Sequence, residues 1–554
     1  MKLFNRLLIL SIFLLSVNSL YSQTKNFVEP VIPFQTNSSP LFGKDIIIND
    51  KSYQDQRFEA ICSAYNGWLY AVYSHPAADT NSWQILRSMD NGMTWSKFFS
   101  ASVPLADSHA TSFSIVACGN DLSTLKIFVS CIVTYSNVTE TLFGVERFNG
   151  QTGDFEDLLL SNYNPVNAYP YGSIASDYQA PLNSATPYSI VILYTRTSLY
   201  PNVFRDSLIF QSSSDGGITL NNRKVVAIAK DYTHKFGTVS LAYGYSPVLG
   251  YGNYYATWEE KESNGASLGH IYTSHTTTGI SSQFSTPLCL DSLDVASINR
   301  CRNPKISCQV NNMNNDSANL TEIVLYEKFL PGINNYDLIG CYNLQAVSSN
   351  HFNLFNLAIS GDNEIQPDIT FNPFDNNFFV TYYNSTLQKL PLLKNNFNMT
   401  TPDSWTVISN GYNDSSNLIA PNPKITINPV QHECANLWIA EQDNANGVAM
   451  FDAQYSTWTG LPATDQSTNN KLISVYPNPC NTSLNVSFSL TGAESVKITL
   501  DDLIGEPRVT ITDQLYPEGL YNLPFDVSNL SPGSYLLNFR AGNLNKTCKV
   551  FIIR

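Results

Sequence analysis

The chain has 554 residues, room for one large domain and a small one, and a formal net charge of −14. That acidity argues against a sequence-independent grip on nucleic acid, which relies on clustered Lys and Arg. Only 14% of residues are charged, while Tyr and Phe number 31 and 30, a balance that favours strands and polar loops over helices.

Taken in chain order, Lys2 and Arg6 flank an apolar run over residues 7–17, followed by small and polar residues through Ser22. This predicts a secretory signal peptide over 1–22, because the run is too short to span a bilayer. A retained N-terminal anchor is the alternative. No later apolar run is long enough to span, so no transmembrane helix is expected.

Residues 23–460 repeat a unit of one apolar strand, a polar turn, and a second strand ending in an aromatic. The first copy is Ala60-Ile61-Cys62, Asn66-Gly67, then Leu69-Tyr70-Ala71-Val72-Tyr73; the sixth is Pro367-Asp368-Ile369-Thr370-Phe371, Asp375-Asn376-Asn377, then Phe378-Phe379-Val380-Thr381-Tyr382. Equivalent first-strand residues are Ile61, Ile115, Ile174, Val239, Ile306, Ile369 and Ile425, at gaps of 54, 59, 65, 67, 63 and 56. A period of this size with four short strands per unit predicts an all-β, seven-bladed β-propeller. The seventh unit runs short after Met450-Phe451-Asp452, and a spare strand lies at residues 44–48. That N-terminal strand is expected to close the last blade and so remove two exposed sheet edges. A stacked sandwich or two smaller all-β domains is the competing architecture.

Two short motifs fall in phase with the repeat, each after a third strand. Ser88, Asp90, Gly92, Thr94 and Trp95 form one; Ser213, Asp215, Gly217 and Thr219, with Leu220 at the last place, form the other. The residue types suit a tight turn: Gly allows positive φ, the Asp carboxylate accepts backbone N–H bonds, and Trp95 packs beneath. The pattern resembles the Asp box (BNR repeat) of sialidase-like propellers. The resemblance implies a structural role, with Asp90 and Asp215 opposite the ligand face.

In such a propeller the fourth-to-first and second-to-third connections gather on one face, where function is expected. They carry Arg57, Glu59, Asp107, His109, Tyr169, Asp231, His234, Arg300, Arg302, Glu364 and Asp368, with His75, Arg196, Arg205, Glu259, Glu260 and Glu327. Glu441 stands where other copies end their second strand on an aromatic (Tyr73, Tyr135, Tyr194, Trp258, Tyr326, Tyr382). Glu441, Glu259 and Asp107 are the candidate acid/base residues; the plain reading of Glu441 is a solvated or paired carboxylate. Arg57, Arg196 and Arg302 with Tyr169 are the candidate ligand-binding residues. Sialidase chemistry, as the resemblance implies, needs three arginines on a substrate carboxylate. The family's aromatic-Arg-Ile-Pro motif is absent, and loop charge is the plain role of these arginines.

Residues 461–471 read as a linker. From 472 to 554 the chain shows Val475-Tyr476-Pro477-Asn478-Pro479, Asp502-Leu503-Ile504-Gly505, Asp526-Val527-Ser528-Asn529-Leu530, Pro532-Gly533-Ser534-Tyr535 and a terminal Lys549-Val550-Phe551-Ile552-Ile553-Arg554. Alternating apolar runs between turn residues predict a small Ig-like β-sandwich, an ordinary accessory β-domain being the alternative. The succession resembles the type A C-terminal sorting domain of the type IX secretion system of Bacteroidota. That implies partners in the secretion machinery and a sortase, and an extracellular or outer-membrane surface location.

Ten cysteines are scattered without a C-x-x-C pair. Cys289–Cys301 and Cys480–Cys548 are conceivable disulfides in an exported chain; Cys62, Cys118 and Cys308 read as buried thiols. No G-x-S-x-G, H-E-x-x-H, P-loop or EF-hand loop appears, and no cofactor or metal is expected. The expectation is non-catalytic binding of a glycan or surface polymer. An exo-acting, sialidase-like glycoside hydrolase and a protein-interaction scaffold are the alternatives.

Overall fold

The computed structural model describes residues 46–48, 57–75, 81–89, 92, 94–103, 108–135, 140–165, 170–177, 189–200, 203–246, 251–262, 269–277, 279, 283–293, 300–310, 320–331, 334–346, 350–358, 360–372, 377–395, 405–409, 422–428, 433–442, 445–456, 473–476, 480–490, 493–502, 506–517, 519–542 and 544–553. The chain divides into two compact units, Met1–Thr459 and Gly460–Arg554. The expected signal peptide (1–22) and linker (461–471) lie outside the described residues.

The first unit holds seven four-stranded antiparallel sheets among its described residues. Six are simple meanders of four consecutive strands, beginning with Arg57–Ser63, Ser108–Cys118, Gly172–Ser176, His234–Ser246, Cys301–Cys308 and Glu364–Asn372. The seventh takes Lys424–Asn428, Glu433–Gln442 and Ala445–Ser456 from one end of the unit and its fourth strand, Ile46–Ile47, from the other. Ile46 lies opposite Phe451 and Ile47 opposite Met450, the pairing required of the spare strand.

First strands of successive sheets touch in an unbroken cycle, since Lys424–Asn428 packs on Arg57–Ser63 as well as on Glu364–Asn372. Side chains lock several junctions. The Ser63 hydroxyl donates to the Ile427 carbonyl across the first and seventh sheets, and the Ser176 hydroxyl to the Ala117 carbonyl across the third and second. Both contacts lie where first strands end, so neighbouring sheets run with the same polarity. One edge therefore collects the starts of first and third strands and the ends of second and fourth strands; we call it the upper edge.

Burial follows from this stacking. Second strands face a neighbour on both sides, so alternation disappears: Ile190, Val191, Ile192, Leu193 and Tyr194 are all buried, as are Phe378, Phe379 and Val380. Outer strands such as Lys224–Ile228 keep exposed positions. The first strands carry a bulge near their upper ends in five sheets, at Phe58/Ala60, Thr111/Ser114, Phe236/Val239, Arg302/Lys305 and Ile365/Asp368. Ser112, Asn303 and Gln366 take positive φ within these bulges, which re-aim the strand at the upper edge.

The two motif turns join third to fourth strands at the lower edge. In the third sheet the Asp215 carboxylate accepts Thr219 N at 2.9 Å, Thr219 Oγ1 at 2.6 Å and Ser213 Oγ at 2.6 Å. Gly217 N donates to Ser213 Oγ at 2.8 Å, with Gly217 at φ 76°. In the first sheet Gly92 N donates to Ser88 Oγ at 2.7 Å and buried Trp95 donates Nε1–H to Gly92 O at 3.0 Å. Thr94 is exposed at the turn's exit; Asp90 lies outside the described residues.

The second unit contains a three-stranded sheet (Ile473–Tyr476, Ser483–Leu490, Gly519–Asp526) and a four-stranded one (Pro507–Tyr516, Glu494–Asp501, Gly533–Ala541, Leu544–Ile552). Leu484, Val486, Phe488, Ile498, Leu500, Leu537, Phe539, Val550 and Ile552 from both sheets form one core.

The structure corrects both disulfide expectations. Neither Cys289 with Cys301 nor Cys480 with Cys548 forms a disulfide. Cys480 N donates to Phe551 O and Ile553 N to Cys480 O, so Cys480 sits opposite Ile552, out of step with Cys548. Backbone pairing, and no sulfur bridge, ties the first segment of this unit to its last strand. Cys62, Cys118 and Cys308 are buried and outside any disulfide.

Candidate functional site

Polar and aromatic side chains concentrate along the upper edge from the third sheet to the sixth. In the third, Arg205 donates Nε–H to Ala229 O at 3.0 Å and Nη2–H to Lys230 O at 2.7 Å, fastening the connection that leads to the fourth sheet. Beside it Phe204 is 56% exposed, and Tyr232 on the same connection is 63% exposed. Asp231 accepts Thr233 N at 2.8 Å and Thr233 Oγ1 at 2.6 Å and pairs with His234 Nδ1 at 2.8 Å; these bonds hold its carboxyl far below the usual range.

The buried Asp206 accepts Thr197 Oγ1 at 2.7 Å and Phe236 N at 3.2 Å and lies 3.4 Å from Lys235 Nζ, linking the third sheet to the fourth. Glu260 accepts Lys230 N at 2.7 Å. Glu259 is buried and 3.5 Å from Lys261 Nζ; burial pushes its carboxyl up against the pull of that ammonium. Lys261 also lies 5.7 Å from the Tyr171 ring centroid.

On the fourth sheet, His270 Nδ1 meets Asp291 Oδ2 at 2.8 Å, Ile271 N donates to Asp291 Oδ1 at 2.9 Å, and the Cys289 thiol donates to the same oxygen at 3.2 Å. The Asp291 bond, with help from Cys289, raises His270 to about 10; burial would lift Asp291, but hydrogen bonds from His270 and Ile271 hold it down. The three donor atoms lie within 4.8 Å of one another and are of types that could hold a metal ion. Their own hydrogen bonds already satisfy them.

In the fifth sheet Arg302 donates Nε–H to Glu327 Oε2 at 2.7 Å and stacks over Tyr336 at 3.7 Å from the centroid. Glu327 also accepts Asn303 Nδ2 and Gln366 N, each at 2.8 Å, so one buried carboxylate reads two first-strand bulges. Arg300 stacks on Phe329 at 5.2 Å. Asp337 and Glu364 bury their carboxyls within hydrogen-bonding reach of each other, and burial pushes them up to about 6 and about 7.

Arg196 is in the third sheet and Arg302 in the fifth, and no hydrogen bond or ion pair among the described residues joins them. Arg205 and Arg302 are engaged within their own neighbourhoods. Asp107 and Tyr169 lie outside the described residues, as do the side chains of Arg57 and Glu441. Asp368 accepts Ile425 N at 2.9 Å, a link from the sixth sheet to the seventh.

Register also revises the aromatic ring position in the seventh sheet. Ile61 lies opposite Ala71, two residues before Tyr73; Ile306 opposite Val324 and Ile369 opposite Val380 stand likewise two before Tyr326 and Tyr382. Ile425 lies opposite Asn436, which gives the equivalent place to Trp438. Glu441 is three residues further along, within the register shift between Ala440 and Gln442. By the same measure Ile115, opposite Val129, assigns the second sheet's place to Cys131 in place of Tyr135, and in the fourth sheet Val239 lies directly opposite Trp258, so that Leu241, opposite Ala256, takes the first-strand place there. Sequence reading missed Asp206, Asp337 and Asn335, which begin third strands and carry no motif.

No curated protein matches the sequence. Solved structures similar to this chain include an alpha-L-arabinanase of Penicillium chrysogenum complexed with arabinobiose, 10% identical, covering 76% of this chain and 98% of its own at a TM-score of 0.39. The endosialidase of phage phi92 is 10% identical, covers 92% of this chain and 88% of its own, and has a TM-score of 0.38. An endo-arabinase from Bacteroides thetaiotaomicron is 10% identical, covers 70% of this chain and 100% of its own, and has a TM-score of 0.31. At this level of identity they assign the chain no activity. Residues 474–554 match the family model described as the secretion system C-terminal sorting domain. The chain thus carries at its C-terminal end a sorting domain of the type IX secretion system, which marks it for the cell surface or for secretion.

Proposed function

We propose that the first unit is a seven-bladed, Asp-box β-propeller that binds a glycan or surface polymer on its upper edge, outside the cell. The closed cycle of first-strand contacts and the shared seventh sheet support the ring. The second unit, read as an Ig-like sandwich, delivers it through the type IX machinery. A sortase then removes that unit, leaving the propeller released or held at the outer-membrane surface.

One observation carries the ligand reading: the aromatic residues Phe204 and Tyr232 are both exposed at the upper edge, one next to Arg205 and the other two residues after Lys230, whose carbonyl Arg205 holds. Flat rings stack on the apolar faces of sugars, while Asp231, Thr233 and Arg205 supply hydrogen-bonding groups for hydroxyls. Hydrolysis is the weaker reading. The carboxyl pair nearest to a general acid in its acidity, Asp337 and Glu364, is 0% and 2% exposed, closed to a sugar ring.

A glycan array with the purified chain tests the proposal. Wild type should bind a defined set of polysaccharides, and Phe204→Ala and Tyr232→Ala should each weaken binding by roughly 3- to 10-fold, the worth of one stacked ring. Unchanged binding in both variants would move the ligand elsewhere. Turnover of a sialoside or plant polysaccharide would replace the binding reading with catalysis.

A further inference from the structure

Where the fifth and sixth sheets meet at the upper edge, buried oxygen atoms collect without donors. Asp337 is 0% exposed, Glu364 2% and Asn335 7%. Among the described residues, no group donates to either oxygen of Asp337, to Glu364 Oε2 or to Asn335 Oδ1.

Two chain segments carry these residues to the same junction. Asn335 and Asp337 stand two apart in the strand Asn335–Asn343, on one face of it. Asn335 donates Nδ2–H to Asp362 O at 2.5 Å, which fixes its amide against the segment running into Glu364. The carboxyls of Asp337 and Glu364 lie within hydrogen-bonding reach of each other. Ser360 Oγ donates to Glu364 Oε1 at 2.6 Å, so Oε2 alone is left over on that side. Lys328 is directly across the ladder from Asp337, yet it donates to neither Asp337 oxygen.

A buried acceptor without a donor is costly, and two adjacent carboxylates repel. A single shared proton would serve one pair of oxygens and leave Asn335 Oδ1 unsatisfied. A cation serves them all. We propose that Asn335, Asp337 and Glu364 form a binding site for a hard divalent cation of the Ca2+ type. Two carboxylates balance its charge, the amide oxygen is a neutral ligand, and water completes the shell. An all-oxygen set disfavours zinc and copper, and ligands from separate segments suit the flexible shell of Ca2+ better than the strict octahedron of Mg2+. The ion would staple the third strand of the fifth sheet to the first strand of the sixth, next to the Glu327 junction.

The test is equilibrium dialysis of the full chain with radioactive CaCl2 near neutral pH, paired with thermal unfolding in CaCl2, MgCl2 and EDTA. Wild type should retain Ca2+ with half-saturation at roughly 0.1–1 mM, the range of extracellular Ca2+ modules. Its unfolding temperature should rise in CaCl2, rise less in MgCl2 and fall back with EDTA. Asp337→Asn should weaken retention about tenfold or more and Asn335→Ala about threefold, while Asp215→Asn at the lower edge leaves it unchanged. If Asp337→Asn does not fold, Asn335→Ala decides. Absence of retention by wild type at about 10 mM, or equal retention in wild type and both site variants, overturns the proposal and leaves the carboxyls sharing a proton.

Discussion

Replacing Asp215 with Asn removes one charge from a lower-edge turn while keeping the side chain's size and one acceptor oxygen. The wild-type carboxylate accepts three hydrogen bonds, from Ser213 Oγ, Thr219 N and Thr219 Oγ1. Partial burial works to raise its pKa, but the bonds from Ser213 and Thr219 outweigh it and bring the carboxyl from 3.8 down to about 2. A depression of that size corresponds to at most about 2.5 kcal/mol of charge-dependent stability. The turn is largely solvent-exposed, and screening reduces the expectation to about 1 kcal/mol. Because the folded carboxyl is more acidic than the unfolded one, this stability is complete above about pH 4 and is lost as pH falls through about 2. Urea unfolding of wild type and Asp215→Asn should therefore differ by about 1 kcal/mol at neutral pH and by about half of that near pH 3. A gap that is absent at neutral pH, or that persists undiminished in acid, would refute the electrostatic account of the turn.

Two further outcomes follow from buried carboxyls. Burial lifts Glu322 from 4.5 to about 8 despite the bond from Thr273 Oγ1 at 2.9 Å. The unfolded chain ionises this group first, so stability should decline as pH rises from about 4.5 to about 8; Glu322→Gln should flatten part of that decline and exceed wild type by about 1 kcal/mol or more in mild alkali. An identical slope in both proteins would contradict it, with Glu146, lifted to about 7 by burial, adding a decline of the same sign in each. Glu327→Ala should cost about 2–4 kcal/mol in denaturant unfolding, because it strands Arg302 Nε, Asn303 Nδ2 and Gln366 N at one junction. A loss under about 1 kcal/mol would mean that water replaces the carboxylate there.

Local chemistry and spacing were enough for several features. The period of the apolar strands marked seven units, and the Ser-x-Asp-x-Gly-x-Thr pattern marked turns whose bonds all close within a few residues. The sorting domain was legible for a similar reason: its turn residues and alternating runs recur in fixed order over a short span. The spare strand could be inferred because a sheet left one strand short demands a partner.

The upper-edge arrangement was decided by tertiary structure alone. Counting along the sequence assigned Glu441 and Tyr135 to the aromatic places, but inter-strand register gives those places to Trp438 and Cys131. Register depends on where each bulge falls, and bulges at Ser112, Asn303 and Gln366 put ordinary residues at positive φ with no glycine to signal it. The junctions Asp206–Phe236, Glu327–Gln366 and Asp337–Glu364 each join the third or second strand of one sheet to the first strand of the next. A sequence fixes the face of its own strand through period two, but which neighbour meets that face is set by how successive sheets pack about their shared first strands.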